Sequence, residues 1–484
     1  MITKELKQQY TVTIGIECHV QLKTKSKLFS GEENDARGKA PNTTVGHVSF
    51  GMPGALPVLN KEAVHLASKA AFALNTEPQK FSKFDRKHYF YPDLPKGYQI
   101  SQFEEPIILG GFVEIAVDGE KKKIGITRAH MEEDAGKSTH PAGKDYSLVD
   151  LNRAGTPLLE IVSEPDLHSA AEAKAYAHEL YLLMKYADVS DVNLYHGNMR
   201  FDVNVSVSKT STLGTRTETK NLNSFKAVEK AVEYEVQRQI EVLEKGGQII
   251  QETRGWDDAK QKTFSQRTKE DAHDYRYMPE PDVPPIVLTD KYIAEVKAEM
   301  PALPNEYRRE FTKIGLTPEA VEDILSVPES AKTVHRMLGA SGSSDEHAKV
   351  IAVQLLRTKS HSDDETISHA EADISVNKLV KFAQMVIDGK VSSTNAKVIF
   401  DEMYMTGEDP QKIAEQKKLL QVSDEGAIES IVAEVLAENE KAAEDVKNGE
   451  MKAIGFLVGQ VMAKSKGQAN PGLAQQIIKR QLGL

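Results

Sequence analysis

The 484-residue sequence predicts an α+β protein, with an antiparallel-sheet domain first and two all-α domains after it. Three observations carry that class. Two long segments alternate strictly between apolar and polar residues, the mark of strands with one buried face in an antiparallel sheet. An Asp118-Gly119 pair between two β-type runs reads as a tight hairpin. Beyond Asp290 the apolar spacing turns helical almost without exception. The runs Gly339-Ala-Ser-Gly-Ser-Ser344 and Thr406-Gly-Glu-Asp-Pro410 interrupt this second half. Together these features place domains at 1–295, 296–410 and 411–484.

The elements follow in order. From Thr11 to Leu22, Val12, Ile14, Ile16, Cys18, Val20 and Leu22 share one face of a strand. Thr11, Thr13, Gly15, Glu17, His19 and Gln21 take the other. Ser169-Ala-Ala-Glu172 is a capping box opening a helix lined by Tyr176, Leu180, Leu183 and Met184. Residues 199–208 repeat the strand pattern, with Met199, Phe201, Val203, Val205 and Val207 inward and Arg200, Asp202, Asn204, Ser206 and Ser208 outward. Ser224 opens a second long helix that ends at Gly246-Gly247. Near the end, Ile428, Ile431, Val432, Val435 and Leu436 keep helical spacing, as do Ile454, Leu457, Val458, Val461 and Met462. Asn470-Pro471 then starts a last helix, with asparagine as cap and proline at its first position.

Composition narrows the function. With 61 Lys+Arg against 72 Asp+Glu, the net charge of -11 excludes a polycation that holds nucleic acid by charge alone. One cysteine excludes an intramolecular disulfide and any multi-cysteine metal site. The polar N-terminus lacks a signal-peptide core, and Ala453 to Ala463 is too short to span a bilayer, so a reducing, aqueous compartment, the cytoplasm, is expected. Charge is split at the end: residues 401–450 hold 14 acids and 5 bases, residues 451–484 hold 5 bases and no acid. That basic segment, with Lys464-Ser-Lys466-Gly467 in an interhelical loop, is either a solvated helix face or a polyanion contact.

The strongest local signal is Glu17-x-His19 on the polar face of a clean strand. Further acids stand at segment ends: Glu132-Glu133-Asp134, Glu160 and Asp202. Carboxylates gathered in one cleft repel by about 4 kcal/mol per pair at about 4 Å, so they persist beside a divalent cation or with one kept protonated. Oxygen-rich ligation with one imidazole suits Mg²⁺ or Mn²⁺ better than zinc. The residues alone leave open whether these segments converge. Residues 83–98, KFDRKHYFYPDLPKGY, mix Phe84, Tyr89, Phe90, Tyr91 and Tyr98 with Lys83, Arg86, Lys87 and Lys96. Such a stretch can stack a base and hold phosphates, or it can be a loop pinned by its own aromatics. Ala135-Gly-Lys-Ser-Thr139 is no P-loop, because the first glycine position is Met131. Cys18 is no nucleophile, since strand neighbours face opposite ways and it cannot meet His19.

Taken together, several blocks resemble the B-subunit family of the bacterial aspartyl/glutamyl-tRNA(Asn/Gln) amidotransferases. They are Gly15-Ile-Glu17-Cys-His19-Val-Gln-Leu-Lys23, Asp85 to Gln99, His130-Met-Glu-Glu-Asp-Ala-Gly-Lys-Ser138, Leu151 to Glu160, Lys220-Asn-Leu-Asn-Ser-Phe225 and the tail pieces Gly455 to Gln460 and Lys466 to Pro471. The resemblance implies a ligase that uses ATP and Mg²⁺ to phosphorylate the side-chain carboxylate of Glu-tRNA(Gln), Asp-tRNA(Asn) or both. Ammonia from an amidase partner (the A subunit), braced by the small C subunit, would then displace phosphate. It implies a catalytic domain similar to glutamine synthetase and the guanidino kinases, and helical domains that grip misacylated tRNA.

By motif match, the expected metal-site residues are Glu17, His19, Glu132 or Glu133, Glu160 and Asp202, with Glu17, His19, Glu133, Glu160 and Asp202 as the catalytic set. For ATP the candidates are Lys83, Arg86, Lys87, Tyr89, Tyr91 and Lys96, and for tRNA Lys464, Lys466, Lys479 and Arg480. Relatives that carry a zinc knuckle would have cysteines where this chain has Ser30, Glu32, Gly46 and Ser49, so no zinc is expected. The competing reading is a non-catalytic tRNA-binding scaffold, which would have no need of clustered acids. No membrane partner is expected.

Overall fold

The computed structural model describes residues 3–268, 275–359, 374–421, 425–465 and 469–484. The chain divides into two compact units, Met1–Pro304 and Asn305–Leu484. The boundary expected near 295 falls inside helix Asp290–Ala298, whose Ile293 is buried in the first unit's core. The boundary expected near 410 falls where Asp409 caps helix Pro410–Gln416, and it separates no third unit.

The first unit is built on one large sheet. Its strands are β1 (Thr11–Gln21), β2 (Asp85–His88), β3 (Tyr98–Ser101), β4 (Phe112–Val117), β5 (Glu120–Glu133), β6 (Pro157–Ser163), β7 (Met199–Ser208), β8 (Thr217–Leu222), β9 (Glu252–Asp257), β10 (Lys262–Thr268) and β11 (Met278–Pro279). The order is β10-β9-β8-β7-β1-β6-β5-β3-β2-β11, with β4 and the short Ile108–Leu109 segment also paired to β5. All pairs are antiparallel except β8 with β9. That one parallel pair needs a crossover, and helix Phe225–Glu244 supplies it.

Alternation builds the sheet as expected. Along β1, Val12, Ile14, Ile16, Cys18 and Val20 are buried, while the residues between them are not. Asp118 and Gly119 both take positive φ, 52° and 84°, and join β4 to β5 as a two-residue turn. Ser169 caps helix Ala170–Tyr186 by accepting from the Glu172 N–H, while the Glu172 carboxylate reaches the N–H of His168 rather than that of the cap. This helix and Phe225–Glu244 pack on the apolar face. A third helix, Lys61–Ala73, was not legible because its buried residues are mostly alanines spread around it, which leaves no apolar stripe.

In the second unit the described residues are helical. Helices Glu425–Glu438, Lys452–Lys464 and Pro471–Leu482 enclose an apolar cluster of Ile428, Val432, Val435, Ile454, Leu457, Val461, Ile477 and Ile478. Asn470 caps the last helix, its side chain accepting from the N–H groups of Gly472 and Leu473. Among the described residues no helix is long and apolar enough to cross a membrane.

Candidate active site

Register places the chemistry. The odd residues of β1 face away from the apolar core, so Glu17 and His19 share one side of the sheet. On the flanking strands, His19 stands opposite Glu160 and Arg200, and Glu17 stands opposite Asp202. Glu160 in turn stands opposite His130, two residues before Glu132 on β5. The polar face therefore gathers side chains from β1, β5, β6, β7 and β8 in a few residues of strand length.

Two triads result. His19, Glu132 and Glu160 bring their ligand atoms within 4.8 Å of one another, and so do Glu17, Asp202 and Glu218. In the first, His19 Nε2 lies 3.4 Å from Glu160 Oε2 and 3.7 Å from Glu132 Oε1. His130 Nε2 approaches the same two acids, at 3.5 Å and 3.7 Å. In the second, Lys220 Nζ lies 2.9 Å from both Asp202 Oδ2 and Glu218 Oε1. The Asn204 amide donates to Glu17 Oε1 at 3.0 Å, and the backbone N–H of Asn221 donates to Asp202 Oδ1 at 2.8 Å.

Burial and neighbours shift these groups in different directions. Burial pushes the Glu160 carboxyl up, but His130 and His19 beside it hold it well below the carboxylate range. Burial pushes His130 down, but Glu160 and Glu132 raise it to about 9. Glu17 goes the other way: burial and the nearby Glu160 raise it, and Lys220 only partly opposes them. Cys18 is pushed well up by burial in the core, which agrees with its exclusion as a nucleophile.

The triads open into a cavity of about 370 Å³ lined by Glu17, His19, Glu132, Glu160 and Glu218 and by three cations, Lys87, Arg200 and Lys220. Arg200 is committed to Asp134 at 3.2 Å. Lys87 makes no ion pair among the described residues, and its Nζ lies 4.9 Å over the Tyr275 ring. A second cavity of about 710 Å³ shares Lys87, Tyr89, Lys220 and Tyr275 with the first and adds His88, Phe90, Tyr91, Asp93, Asn221 and Arg276.

Residues 12–294 match the GatB/GatE catalytic domain, and residues 335–482 match the GatB domain. The chain belongs to the GatB/GatE family. Among curated relatives it is 45% identical over 481 residues to the B subunit of the aspartyl/glutamyl-tRNA(Asn/Gln) amidotransferase of Carboxydothermus hydrogenoformans, covering 98% of this chain and 99% of that one. It is 47% identical to the protein of the same name from Thermoanaerobacter sp. (strain X514), again over 98% and 99% of the two chains. The resemblance read from the sequence blocks is borne out.

Within the GatB/GatE catalytic domain the expected residues divide. Glu17, His19, Glu132 and Glu160 meet at the cavity. Asp202 is buried behind Lys220 and does not line it, so the expected single set splits into two triads. Glu133 is corrected: as a strand neighbour of Glu132 it faces the other way, where it pairs with Lys96 and accepts from the N–H of Ile100 at 3.0 Å. Lys96, sealed in that pair, is corrected with it as an ATP contact. Arg86 is also withdrawn, since its guanidinium is held by Glu280 at 2.8 and 2.9 Å. Lys83 pairs with Glu104 outside the cavity. Lys87, Tyr89 and Tyr91 do line the two cavities.

Sequence reasoning missed His130, Arg200, Glu218 and Lys220. The signal for each was spacing: His130 and Glu132, like Glu218 and Lys220, are two apart on a strand and share a face. In the GatB domain, Lys464 is the last residue of its helix rather than part of a loop, and it pairs with Glu434 at 2.9 Å and Glu438 at 2.6 Å. Arg480 pairs with Glu429. Lys479 lies in the last turn of the last helix, and Lys466 lies outside the described residues. At the positions of the expected missing zinc ligands, the Glu32 carboxylate fills the space a Cβ on Gly46 would occupy, and Ser49 Oγ donates to Ala154 O at 3.3 Å.

Proposed function

We propose that this chain is the ATP-dependent subunit of a tRNA-dependent amidotransferase, a ligase that forms a C–N bond with nitrogen from glutamine. Two curated relatives, each named as the B subunit of an amidotransferase and matched over nearly its whole length, support the amidotransferase role and a multi-subunit assembly. The observation that carries the ATP-dependent step is one cavity lined by three cations and by every triad residue except Asp202. The sheet with its polar face forming a lined floor suits a cradle of the glutamine synthetase and guanidino kinase kind.

A carboxylate is an anion and a poor electrophile, so it must be activated before ammonia can attack. Its oxygen attacks the γ-phosphorus of ATP, the bond to ADP breaks, and an acyl phosphate forms. Ammonia then adds to the acyl carbon, loses a proton, and expels inorganic phosphate to leave the amide. The five carboxylates of the triads are hard donors that fit Mg²⁺, with a single borderline imidazole among them; His19, Glu132 and Glu160 would hold one ion and Glu17, Asp202 and Glu218 another. The orphaned, buried Nδ1 of His19 leaves that ring free to turn toward a ligand. Bound Mg²⁺ would offset the charge that develops in phosphoryl transfer.

The chain's own groups do the rest. Lys87, which makes no ion pair among the described residues and lies over the Tyr275 ring, would reach phosphoryl oxygens. Arg200, pinned by Asp134, keeps a fixed positive charge on the floor. Tyr89, Phe90, Tyr91 and Tyr275 give the second cavity stacking surfaces for a nucleoside. The amidase and the small bracing partner (the A and C subunits) supply ammonia and rigidity, and the helical unit grips misacylated tRNA in the cytoplasm.

The test is an assay of the purified assembly with each misacylated tRNA, following ATP cleavage and amide formation together. Amide formation that needs ATP, and ATP cleavage that needs misacylated tRNA, is the expected result. Amide formation indifferent to Glu17→Gln and Glu160→Gln would leave only a scaffold.

A further inference from the structure

One lysine stands among the carboxylates of the second triad. Lys220 Nζ lies 2.9 Å from both Asp202 Oδ2 and Glu218 Oε1. Those two acids are nearly enclosed, at 5% and 7% side-chain exposure, whereas Lys220 is 30% exposed. Its side chain lines both the triad cavity and the larger aromatic one, while Asp202 lines neither. The ammonium thus has buried acids on one side and open space on the other. Of its three N–H donors, the carboxylates take two, which leaves one for the cavities.

The acids do not depend on this lysine for their position. The β7–β8 ladder steps from Phe201–Leu222 to Val203–Thr219, so β8 uses three residues where β7 uses two. The extra residue forms a bulge opposite Asp202, and Asn221 takes the left-handed region there at φ 59°. Bulges and left-handed residues other than glycine gather where a fold re-aims functional groups. Here the Asn221 N–H leaves the ladder and donates to Asp202 Oδ1 at 2.8 Å. Glu218 is held in the same fashion, its Oε2 accepting from Thr253 Oγ1 at 3.0 Å. Glu17 Oε1 accepts from the Asn204 amide at 3.0 Å. Each acid therefore keeps a fixed donor on one oxygen, and Lys220 occupies only the oxygens that remain on Asp202 and Glu218.

We propose that Lys220 is a displaceable cation: it fills the second triad until Mg²⁺ takes the carboxylates, and its ammonium then turns into the cavities to contact the phosphoryl group in transfer. This rests on the ATP-dependent reading above and gives Lys220 a catalytic part in it. Charge decides the exchange, because three carboxylates draw a divalent cation more strongly than a monovalent one at the same place. Lysine suits the task as a point charge on a flexible four-carbon stem, whereas an arginine fork would clamp both acids. Arg200, which has no such move to make, is a guanidinium held on Asp134 through two nitrogens at 3.2 and 3.4 Å. The exchange also sets an order: the ammonium reaches the phosphoryl group only once the metal is in place.

Two variants of the full chain test this, with Asp202→Asn marking by its loss which binding event belongs to the second triad. Mg²⁺ binding would be followed by calorimetry, with Mn²⁺ and electron paramagnetic resonance as a second probe. Lys220→Met keeps the length and removes the charge, so binding at the second triad should tighten about fivefold or more. In the assembly, the same variant should lower kcat for tRNA-dependent ATP cleavage about a hundredfold or more and leave the KM for misacylated tRNA within about twofold. A lysine that merely held the acids in place would instead give weaker metal binding and slower cleavage together. Lys220→Arg keeps the charge but clamps the acids, and should bind Mg²⁺ about fivefold more weakly than the unmodified chain. Unchanged or weaker Mg²⁺ binding by Lys220→Met overturns the displacement. A kcat near that of the unmodified assembly overturns the contact with the phosphoryl group. Absence of ATP cleavage by the unmodified assembly overturns the ATP-dependent reading itself, a failure that the metal-binding measurements register separately.

Discussion

The two triads stand two residues apart along β1, and their charge is balanced by different means. His19, Glu132 and Glu160 have imidazoles as counter-groups, with His130 between the two acids. Glu17, Asp202 and Glu218 have one ammonium, Lys220, and amide donors. The outcome differs in sign. Glu160 is held well below the carboxylate range, whereas Glu17 is raised. Without a cation, the charge of the first triad is thus offset by its imidazoles, while Glu17 in the second is left under-compensated. A site can therefore be equally needed for chemistry at both triads and yet contribute to folding at only one.

The largest effect should separate those two contributions. Glu160→Gln and Glu17→Gln should each cut tRNA-dependent ATP cleavage and amide formation by about 10²-fold or more, because both remove charge from where phosphoryl transfer is stabilised. In chelator their stabilities should part. Glu160→Gln leaves two histidines short of a charged acceptor and should cost about 2 kcal/mol. Glu17→Gln keeps the acceptor for Asn204, relieves repulsion, and should leave the melting temperature level or slightly higher. Equal destabilisation by both would break the contrast.

Glu133 sharpens it next. Its carboxylate and the Lys96 ammonium are both nearly fully buried, at 2% and 6% side-chain exposure. Glu133→Gln leaves a buried cation without its countercharge and should cost about 2–3 kcal/mol in denaturant unfolding. Glu132→Gln, one residue away on the cavity side, should lose far more activity than stability. A stability loss confined to Glu132 would mean the two faces had been assigned the wrong way round.

The histidine-balanced triad should also carry a pH signature. His130 is raised from an ordinary 6.5 to about 9. A group with a raised folded-state value stabilises fully below its unfolded value and loses that contribution as pH rises through the folded one. Glu160, held low, stabilises above its ordinary value, and that share is lost on acidification. In chelator, melting temperature should peak between about pH 5 and 6.5 and fall from pH 7 to 9.5. His130→Gln should flatten that alkaline fall. An unchanged fall would place its cause outside the triad.

Period-two alternation made β1 and β7 legible, because a one-sided sheet writes its burial directly into sequence. The same rule excluded Cys18 and, applied to Glu132 and Glu133, would have chosen between them. What alternation could not supply was register. Nothing local says that His19 faces Glu160 across one strand boundary and Arg200 across the other, or that His130 completes the group. The aromatic-basic stretch misled for a related reason. Arg86 is held by Glu280, some 194 residues on, and a partner at that separation leaves no trace in local composition.

The smallest effect belongs to the helical unit, where charge is arranged differently again. On sequence its basic end is either a solvated helix face or a polyanion contact, and in the structure Lys464 lies against Glu434 and Glu438, and Arg480 against Glu429. Lys464 is about one-third exposed and its glutamates more so, and water screens surface pairs of this kind until they contribute little to stability. Lys464→Ala should therefore leave the melting temperature nearly unchanged. It should also move tRNA affinity little, because the glutamates already offset its charge. We expect the KM for misacylated tRNA to rise less than about threefold, and the salt dependence of binding to change by less than one phosphate contact. Deleting residues 411–484 should raise that KM much further while leaving glutaminase activity in the amidase partner intact. A tenfold rise from Lys464→Ala alone, with a shallower salt slope, would show that tRNA phosphates draw this lysine away from its two glutamates.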